Sequence, residues 1–431
     1  MLNDLIAARA QMGLSLAFHI VFAIAGIAMP AMMVTAEYFY HRNRNAVYLE
    51  IAKRWAKGTA ILFAVGAVSG TVLSFELGLL WPKFMEFAGP IIGMPFSLEG
   101  FAFFTEAIFL GIYLYGWDRV SERFHLFSGV MVALSGVASA IFVVIANAWM
   151  NTPAGFRMVN GVVVDVDPIA AMRNPAALWQ TVHMVLASYQ GIGFMVAGIH
   201  AFQLLKRGAN EFHDQAFKIA FAFGAITAIL QPISADFLAR NVAVTQPLKL
   251  AAMEGQFESE SGAPLKIGGI PDPSEEKTPY AIEIPYGLSL LAFHDPHAIV
   301  KGLKEFPRDN WPNIQIVHIA FQIMVGCGVA MALMALWGAW LYRKKRIIAD
   351  ARWFLRSLLI TAPFGLIAVE AGWMVTEMGR QPWIIYGVMR TSEAVTPMPG
   401  LMFPMITFLL IYCLLAAVVI WLLVHQVREV R

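Results

Sequence analysis

The chain has 431 residues, of which 58% are hydrophobic and only 14% are charged. Because soluble domains usually carry about 25% charged residues, this composition excludes an ordinary soluble domain and indicates a polytopic membrane protein. The formal net charge is +2 and no basic patch is interleaved with aromatic residues, so nothing in the sequence predicts binding to nucleic acid.

A helix that crosses a bilayer needs about 20 mostly apolar residues, and the chain contains about nine such segments. We therefore predict an all-α fold, a polytopic membrane helix bundle in which residues 1–431 form a single membrane domain. The predicted spans lie near 13–36, 58–80, 94–116, 126–148, 181–205, 216–238, 314–341, 357–378 and 401–424.

Basic residues in the short loops predict the orientation of the bundle, since cytoplasmic loops carry an excess of Lys and Arg. The first loop has five basic residues between positions 42 and 57, and the seventh has five between 343 and 352. The second loop has Lys83 alone. The odd-numbered loops are therefore predicted to be cytoplasmic, with the N-terminus outside and the C-terminus in the cytoplasm.

The sixth loop, residues 239–313, is the only long loop between the predicted spans, and the orientation places it outside. Its middle, Pro271–Lys277, is rich in proline and charge and has no long apolar period. Loops of this length without regular structure are usually functional or disordered. We interpret 239–313 as an external loop of the membrane domain.

Several ionisable residues lie inside the predicted spans, where hydrocarbon offers neither water nor screening. Glu377 ends an apolar run that starts at Leu358, and Glu99 and Glu106 share one face of the third span, because seven residues make about two helical turns. An intramembrane ionisable residue is a functional hypothesis by default. For Glu99 and Glu106, a proton relay and a pair of merely hydrogen-bonded carboxyls both remain open.

Four residues of metal-ligand type are predicted to converge on the outer half of the bilayer. His19 lies a few residues into the first span and His183 opens the fifth, and both spans enter from outside. Met324 lies roughly 15 Å into the seventh span at 1.5 Å per residue, and Glu377 ends the eighth, which exits outward. Side chains from four helices at one depth are typical of a cofactor held between helices.

Haem is the simplest cofactor for this set, because His and Met are both axial ligands of haem iron. Zinc fits less well, since the chain has neither an HExxH nor a CxxC spacing. Each residue also has an ordinary interpretation: a lone His is more often a hydrogen-bonded core residue, and Met is a common gap-filler.

Four segments carry a resemblance to a known family: Phe18-His19, Leu178–His183 (LWQTVH), Gln246–Glu254 (QPLKLAAME) and Gly379–Trp383 (GRQPW). Ile323–Gly326 (IMVG) in the seventh span adds a further match. On these motifs the chain resembles subunit I of the cytochrome bd family of quinol oxidases over essentially its whole length. The third and fourth motifs are the specific ones.

The resemblance implies three haems, two b-type and one d-type, or all b-type. It implies that His183 and Met324 ligate the low-spin b haem and that His19 and Glu377 each ligate one of two high-spin haems, with the pairing open. Arg380 is a candidate cationic partner for the haem propionates. The chain departs from the family at Gln322, where relatives often have Arg.

The resemblance also implies that Lys249 and Glu254 take part in quinol oxidation in the external loop, which the family calls the Q loop. By themselves, two loop charges are usually solvated. Protons for the reduction of O2 to water would come from the cytoplasm through Glu99 and Glu106, so that the reaction contributes to the proton motive force.

Other functions stay open at this point. A cyanide-insensitive variant would have b-type haem in place of haem d, and a haem electron carrier would lack O2 reduction. A transporter whose buried acids bind a cation belongs to another class, but transporters often have inverted repeats and this chain has no evident one.

The implied partners are a homologous second subunit, in some relatives a small accessory helical subunit, quinol, O2 and membrane lipid. The implied location is the prokaryotic cytoplasmic (inner) membrane, where the chain would be a multi-pass component of the respiratory chain.

Overall fold

The computed structural model describes residues 2–346 and 350–428. In chain order the α-helices are α1 (Leu2–Asn43), α2 (Ala46–Leu80), α3 (Pro82–Tyr115), α4 (Glu122–Asn151), α5 (Pro168–Met172), α6 (Ala177–Arg207), α7 (Glu211–Thr245), α8 (Pro247–Glu254), α9 (Gly287–Phe293), α10 (Ile314–Arg343), α11 (Arg352–Thr361), α12 (Phe364–Met378), α13 (Thr391–Ala394) and α14 (Met402–Arg428). Within these ranges nine helical segments are long and apolar enough to cross a membrane, which confirms the predicted bundle.

In the residues that the structure describes, eight short strands form four antiparallel pairs in the connecting segments. They are β1 (Arg157–Val159) with β2 (Val162–Val164), β3 (Glu260–Ser261) with β6 (Ile299–Val300), β4 (Leu265–Gly268) with β5 (Ala281–Ile284), and β7 (Trp383–Ile385) with β8 (Met389–Arg390).

Polar side chains define where several spans begin. Asn45 accepts a hydrogen bond from the amide of Val47 at the start of α2, and Ser121 and Asn313 accept equivalent bonds at the starts of α4 and α10. Such N-caps satisfy amides that have no partner within the first helical turn. The short turns between the helices make chain neighbours pack antiparallel.

Most spans are longer than predicted. α1 begins at Leu2 rather than near position 13, α3 begins at Pro82 rather than near 94, and α7 continues to Thr245. The prediction counted only the apolar length that hydrocarbon requires, whereas a helix continues wherever its backbone and end groups remain satisfied. The eighth predicted span is two helices, α11 and α12, which meet at Pro363, where proline lacks the amide that would continue the ladder.

The long connection between α7 and α10, predicted as the sixth loop, also differs from its prediction. Because α7 extends to Thr245, the connection to α10 is residues 246–313, and it has its own regular structure. It contains α8, α9, strands β3 to β6 and two 3₁₀ turns, Leu303–Glu305 and Arg308–Asn310. The loop is therefore a folded cap rather than an irregular connection.

The long helices of the bundle beneath this cap pack closely against one another. α1 packs against α2, α4, α6 and α14, α3 packs against α4, and α12 contacts both α6 and α10. A Cβ added at Gly365 of α12 would lie 2.2 Å from the Cα of Gly191 on α6, so these two backbones are in direct contact.

The two ends of the bundle differ in character. One end carries residues 246–313 together with the C-terminal ends of α2, α4, α7 and α12, and we call it the loop end. The opposite end carries the basic residues Arg44, in the turn between α1 and α2, and Arg54, near the start of α2, and we call it the basic end.

Candidate functional site

His183 lies near the start of α6 and faces α7. The hydroxyl of Ser234 donates to the backbone oxygen of Gln231 at 2.9 Å, so its oxygen is left to accept a hydrogen bond from His183 Nδ1 at 3.1 Å. A histidine that donates from Nδ1 keeps its lone pair on Nε2, which here lies 3.2 Å from the amide nitrogen of Gln231. A metal bound at Nε2 would take the place of this contact.

His19 on α1 has the same arrangement with α2. The Ser69 hydroxyl donates to the backbone oxygen of Val65 at 2.9 Å, and its oxygen lies 3.0 Å from His19 Nδ1. A Cβ at Gly70 would lie 2.9 Å from His19 Cε1, so the ring fits against α2 only because residue 70 is glycine. Here too Nε2 is left as the metal-binding nitrogen.

Met324 on α10 lies against α12. A Cβ at Gly372 would lie 3.0 Å from the Met324 sulfur, so the thioether occupies space that glycine leaves open. The indole Nε1 of Trp373, next in the chain, is buried and has no hydrogen-bond partner among the described residues. The same stretch of α12 thus leaves room for the Met324 thioether and carries a buried donor that no described residue uses.

Glu377 ends α12 and is held by two side chains. Arg380 Nη1 donates to Glu377 Oε1 at 3.2 Å, and Arg380 Nη2 pairs with the second carboxylate oxygen. Asn147 of α4 donates to the same Oε1 at 2.6 Å. Arg380 is only 2% exposed, and within the described part of the chain its Nε has no acceptor.

Lys249 of α8 is buried beside this group. Its Nζ donates to Asn151 Oδ1 at 2.6 Å and to the backbone oxygen of Thr376 at 3.3 Å. Burial lowers the pKa of the Lys249 ammonium to about 7, and the positive charge of Arg380 adds to that effect. A lysine in this position is ready to lose or regain a proton near neutral pH.

A chain of polar contacts joins Lys249 to Glu377. Lys249 binds Asn151, and the Asn151 amide lies 3.2 Å from Asn147 Oδ1. Asn147 in turn binds Glu377. The structure therefore brings together Lys249, Glu377 and Arg380, which the sequence had placed in two separate motifs, and it does so through α4.

Glu254 ends α8 and is 4% exposed. Its Oε2 has no hydrogen-bond partner in the described part of the chain. Burial raises the pKa of the Glu254 carboxyl to about 8, although the positive charge of Lys266 opposes the shift. A buried, neutral carboxyl with an unused oxygen suits an exchange of protons with a bound substrate.

Glu99 and Glu106 lie on α3 against α4 and α1. Ser139 of α4 donates to Glu99 Oε1 at 3.0 Å. Glu106 is 5% exposed, and its Oε1 lies 3.3 Å from where a Cβ at Gly136 would be. The predicted shared face therefore exists, and it points into the interface with α4.

Gln322, the departure from the family pattern, fastens the external loop to α10. Its Oε1 accepts from the amide of Gly268 at 3.1 Å, and its Nε2 donates to the backbone oxygen of Lys266 at 3.0 Å. His318 on α10 contacts the backbone oxygens of Met253 and Gly268 with its two ring nitrogens, at 2.8 and 3.0 Å.

The arrangement suits haem better than a bare metal ion. Among the described residues there is no group of three or more His, Cys, Asp or Glu that could hold a metal. The ligand-type side chains instead come singly from separate helices, as axial ligands of haem iron do, and Nδ1 of each histidine lies within hydrogen-bond distance of a serine hydroxyl. The residues present therefore fit this cofactor.

The sequence did not identify several residues that position the site. Ser69, Ser234 and Gly372 hold or accommodate the three ligand-type side chains, and Asn151 joins Lys249 to Asn147. A serine within an apolar span is the only available signal for the first two, and many such serines bond only to their own helix.

Comparisons with known proteins agree on one family. The family model described as cytochrome bd terminal oxidase subunit I matches residues 7–431. A putative cytochrome bd menaquinol oxidase subunit I of Bacillus subtilis is 38% identical over 435 residues, which cover 99% of this chain and 97% of the relative. The cytochrome bd ubiquinol oxidase subunit 1 of the same organism is 33% identical over 443 residues, covering 99% and 94%.

A solved structure is similar over the same length. The bd oxidase structure from Geobacillus thermodenitrificans superposes with a TM-score of 0.93 at 38% identity, and the match covers 99% of both chains.

Proposed function

This chain belongs to the cytochrome bd terminal oxidase subunit I family, and we propose that it oxidises quinol at its external loop and reduces O2 to water with protons from the cytoplasm. The family makes it a quinol oxidase subunit with haem cofactors, and the name subunit I implies a second subunit as partner. The nine long apolar helices in the described part of the chain make it a multi-pass membrane protein. The sidedness, the number of haems and the residue roles are the proposal.

We propose three haems, two b-type and one d-type, or all b-type. His183 and Met324 would hold the low-spin haem, and His19 and Glu377 would each hold one of the others. Arg380 would provide positive charge for a propionate. When bound, haem supplies iron that takes up electrons one at a time and binds oxygen.

Lys249 and Glu254 would act on quinol from opposite ends of α8. A quinol ring needs an apolar slot, and its hydroxyls need a group that accepts a proton. Glu254 has an unused buried oxygen for that purpose, and the ammonium of Lys249 is held at a fixed position by Asn151. Their burial supports the role, because solvated loop charges would need no such enclosure.

The complete reaction converts two quinols and one O2 into two quinones and two waters. In the proposal, the quinol protons leave at the loop end, and the four protons for water arrive from the basic end through Glu106 and Glu99. Carboxyl groups in the membrane interior commonly serve such relays. The contact from Ser139 to Glu99 supports a polar route along α4.

We further propose that the chain lies in the prokaryotic cytoplasmic membrane, N-terminus outside and C-terminus in the cytoplasm. Residues 239–313, as predicted, would include the external quinol-binding cap. A small accessory helical subunit belongs to the same proposal, as do contacts with membrane lipid.

The paired geometry of His19 and His183 with serine is the observation that carries the haem assignment. The test is a pyridine haemochrome assay on the complex purified with its second subunit, for wild type, His19→Ala, His183→Ala and the exposed control His297→Ala. We expect each of the first two variants to lose one haem and the control to lose none. A full haem content in His183→Ala would contradict the assignment.

Activity is tested on the same preparations. We expect quinol-dependent O2 consumption by the wild type and binding of carbon monoxide to its reduced form. Haem without carbon monoxide binding would identify an electron carrier that does not reduce oxygen, because only an open haem position takes that ligand.

A further inference from the structure

A buried cluster of titratable residues lies at the basic end, far from the ligand-type residues. Glu37 of α1 is 1% exposed, and its Oε1 lies 2.8 Å from His125 Nδ1 and 3.2 Å from His41 Nε2. His125 of α4 is 2% exposed. The cluster consists of Glu37, His41, Tyr113 and His125, and the proposed mechanism does not yet use it.

The hydrogen bonds require an extra proton within this cluster. His125 Nε2 lies 2.9 Å from the backbone oxygen of Tyr113, which only accepts, so Nε2 must carry a hydrogen. The contact between Nδ1 and Glu37 Oε1 then needs one more proton, either on the ring or on the carboxyl. The pair formed by Glu37 and His125 thus holds a proton that two groups share.

The cluster is connected to the surface. His41 is partly exposed, and its Nδ1 lies 3.3 Å from Glu122 Oε2. Glu122 is exposed and pairs with Arg44 at 2.9 Å. His41 therefore links the buried carboxyl to the surface, beside an exposed acid that attracts cations.

A further charged group faces the cluster from α2. Lys53 Nζ lies 5.2 Å from the centre of the Trp117 ring, and Trp117 stacks on His125 with ring centres 3.9 Å apart. The groups that set the charge around Glu37 are therefore the cluster itself, Glu122, Arg44 and this lysine.

The interior side of the cluster points along the face of α3 that carries the buried acids. Tyr113, Glu106 and Glu99 follow one another at intervals of seven residues, so they share a face and each step is about 10 Å along the helix. The Tyr113 hydroxyl and Glu37 Oε2 are both buried, and neither has a hydrogen-bond partner among the described residues. Unused polar atoms of this kind can bind bridging water.

We propose that Glu37 and His125, supplied through His41, are the proton-collecting pair for oxygen reduction, an inference that rests on the proposed function. The pair passes its shared proton past Tyr113 to Glu106 and then to Glu99, and it takes a new proton from water at the basic end. Four protons pass for each O2, and no electron moves at the pair. The competing explanation is a static ion pair that fastens α1 to α4.

The experiment compares Glu37→Gln with Glu50→Gln in the complete oxidase. Glu50 is an exposed acid on α2 that pairs with Arg54 at 2.7 Å at the same end of the bundle. We measure quinol-driven O2 consumption across neutral pH in water and in deuterium oxide, and separately the anaerobic reduction of the haems by quinol.

For Glu37→Gln we expect turnover to fall about tenfold or more, toward the losses seen when a positioned acid or base is removed. The solvent isotope effect should rise, and the decline of rate with pH should become steeper. Anaerobic haem reduction should match the wild type, and Glu50→Gln should match it in every assay.

Tyr113→Phe keeps the test decisive if Glu37→Gln does not assemble. The Tyr113 hydroxyl faces Glu37, and phenylalanine keeps the packed ring, so this change removes the hydroxyl while retaining the ring's contacts. We expect slower turnover with a larger isotope effect. Wild-type turnover in this variant, or a loss that is equal at every pH and has no isotope effect, would overturn the proposal. Absence of quinol oxidation in the wild type would instead reject the proposed function.

Discussion

Replacing Glu254 with glutamine should abolish quinol oxidation and at the same time stabilise the protein. The carboxyl is 4% exposed and has an oxygen with no partner in the described part of the chain. Glutamine keeps the shape but cannot accept a proton from quinol. Loss of a positioned acid or base typically costs about a hundredfold or more in rate.

The stability gain follows from the pKa. Burial raises the pKa of the Glu254 carboxyl from 4.5 to about 8. Because the folded pKa lies above the unfolded one, the group's contribution is fully present below pH 4.5 and is lost as the pH rises through about 8. At pH 7 this loss amounts to about 3 kcal/mol, and a neutral glutamine avoids it.

The assay combines quinol-driven O2 consumption with thermal unfolding of the purified complex near pH 4.5 and at pH 7. We expect Glu254→Gln to have an intact haem spectrum, negligible turnover and a higher unfolding midpoint only at pH 7. Glu275→Gln, a change at an exposed acid of the same loop, is the control and should alter none of these. Wild-type turnover in Glu254→Gln would remove Glu254 from the mechanism. A difference in unfolding midpoint between Glu254→Gln and the wild type that is the same at both pH values would refute the claim that burial raises the pKa of this carboxyl.

Two further predictions concern the ligand and relay residues. Gly372→Ala would place a methyl group 3.0 Å from the Met324 sulfur, so the low-spin haem band should shift in the reduced-minus-oxidised spectrum. The control Gly328→Ala, where nothing lies within 4 Å, should leave that band unchanged. An unaltered band in Gly372→Ala would contradict the proposal that Met324 ligates the low-spin haem. Ser139→Ala removes the 3.0 Å hydrogen bond to Glu99. It should slow turnover about twofold to tenfold and increase the solvent isotope effect. Turnover equal to that of the wild type would exclude Ser139 from the proposed proton relay.

The sequence predicted the fold well because membrane spans are determined by composition over long windows, but span boundaries were less accurate. The first span was predicted to end at position 36 and the fourth to begin at 126, so Glu37 and His125 each fell one residue outside. Both are buried inside helices. A span predicted from apolar composition ends at the first charged residue. Such a prediction therefore leaves out charged residues, such as Glu37, that the fold buries near the end of a helix.

The sequence predicted which residues belong to the candidate site, but it did not predict which residues they contact. Lys249 and Glu254 read by themselves as solvated loop charges, whereas both are buried because α8 packs against α7 and α10. Lys249 meets Asn151, which lies 98 residues earlier in the chain. No local pattern encodes such a pairing, since it depends on where α4 ends relative to the external loop.

The polar residues of α4 that contact the proposed site fall into two separate groups along the helix. Ser139 serves the Glu99 side, and Asn147 and Asn151 serve the Glu377 and Lys249 side. Between them, residues 140–146 are uninterrupted apolar (AIFVVIA), a stretch of about 10 Å. In the proposed function, this apolar stretch keeps the polar contacts of Lys249 and Glu377 apart from those of Glu99, so residues 140–146 of α4 give no polar link between the quinol end and the relay.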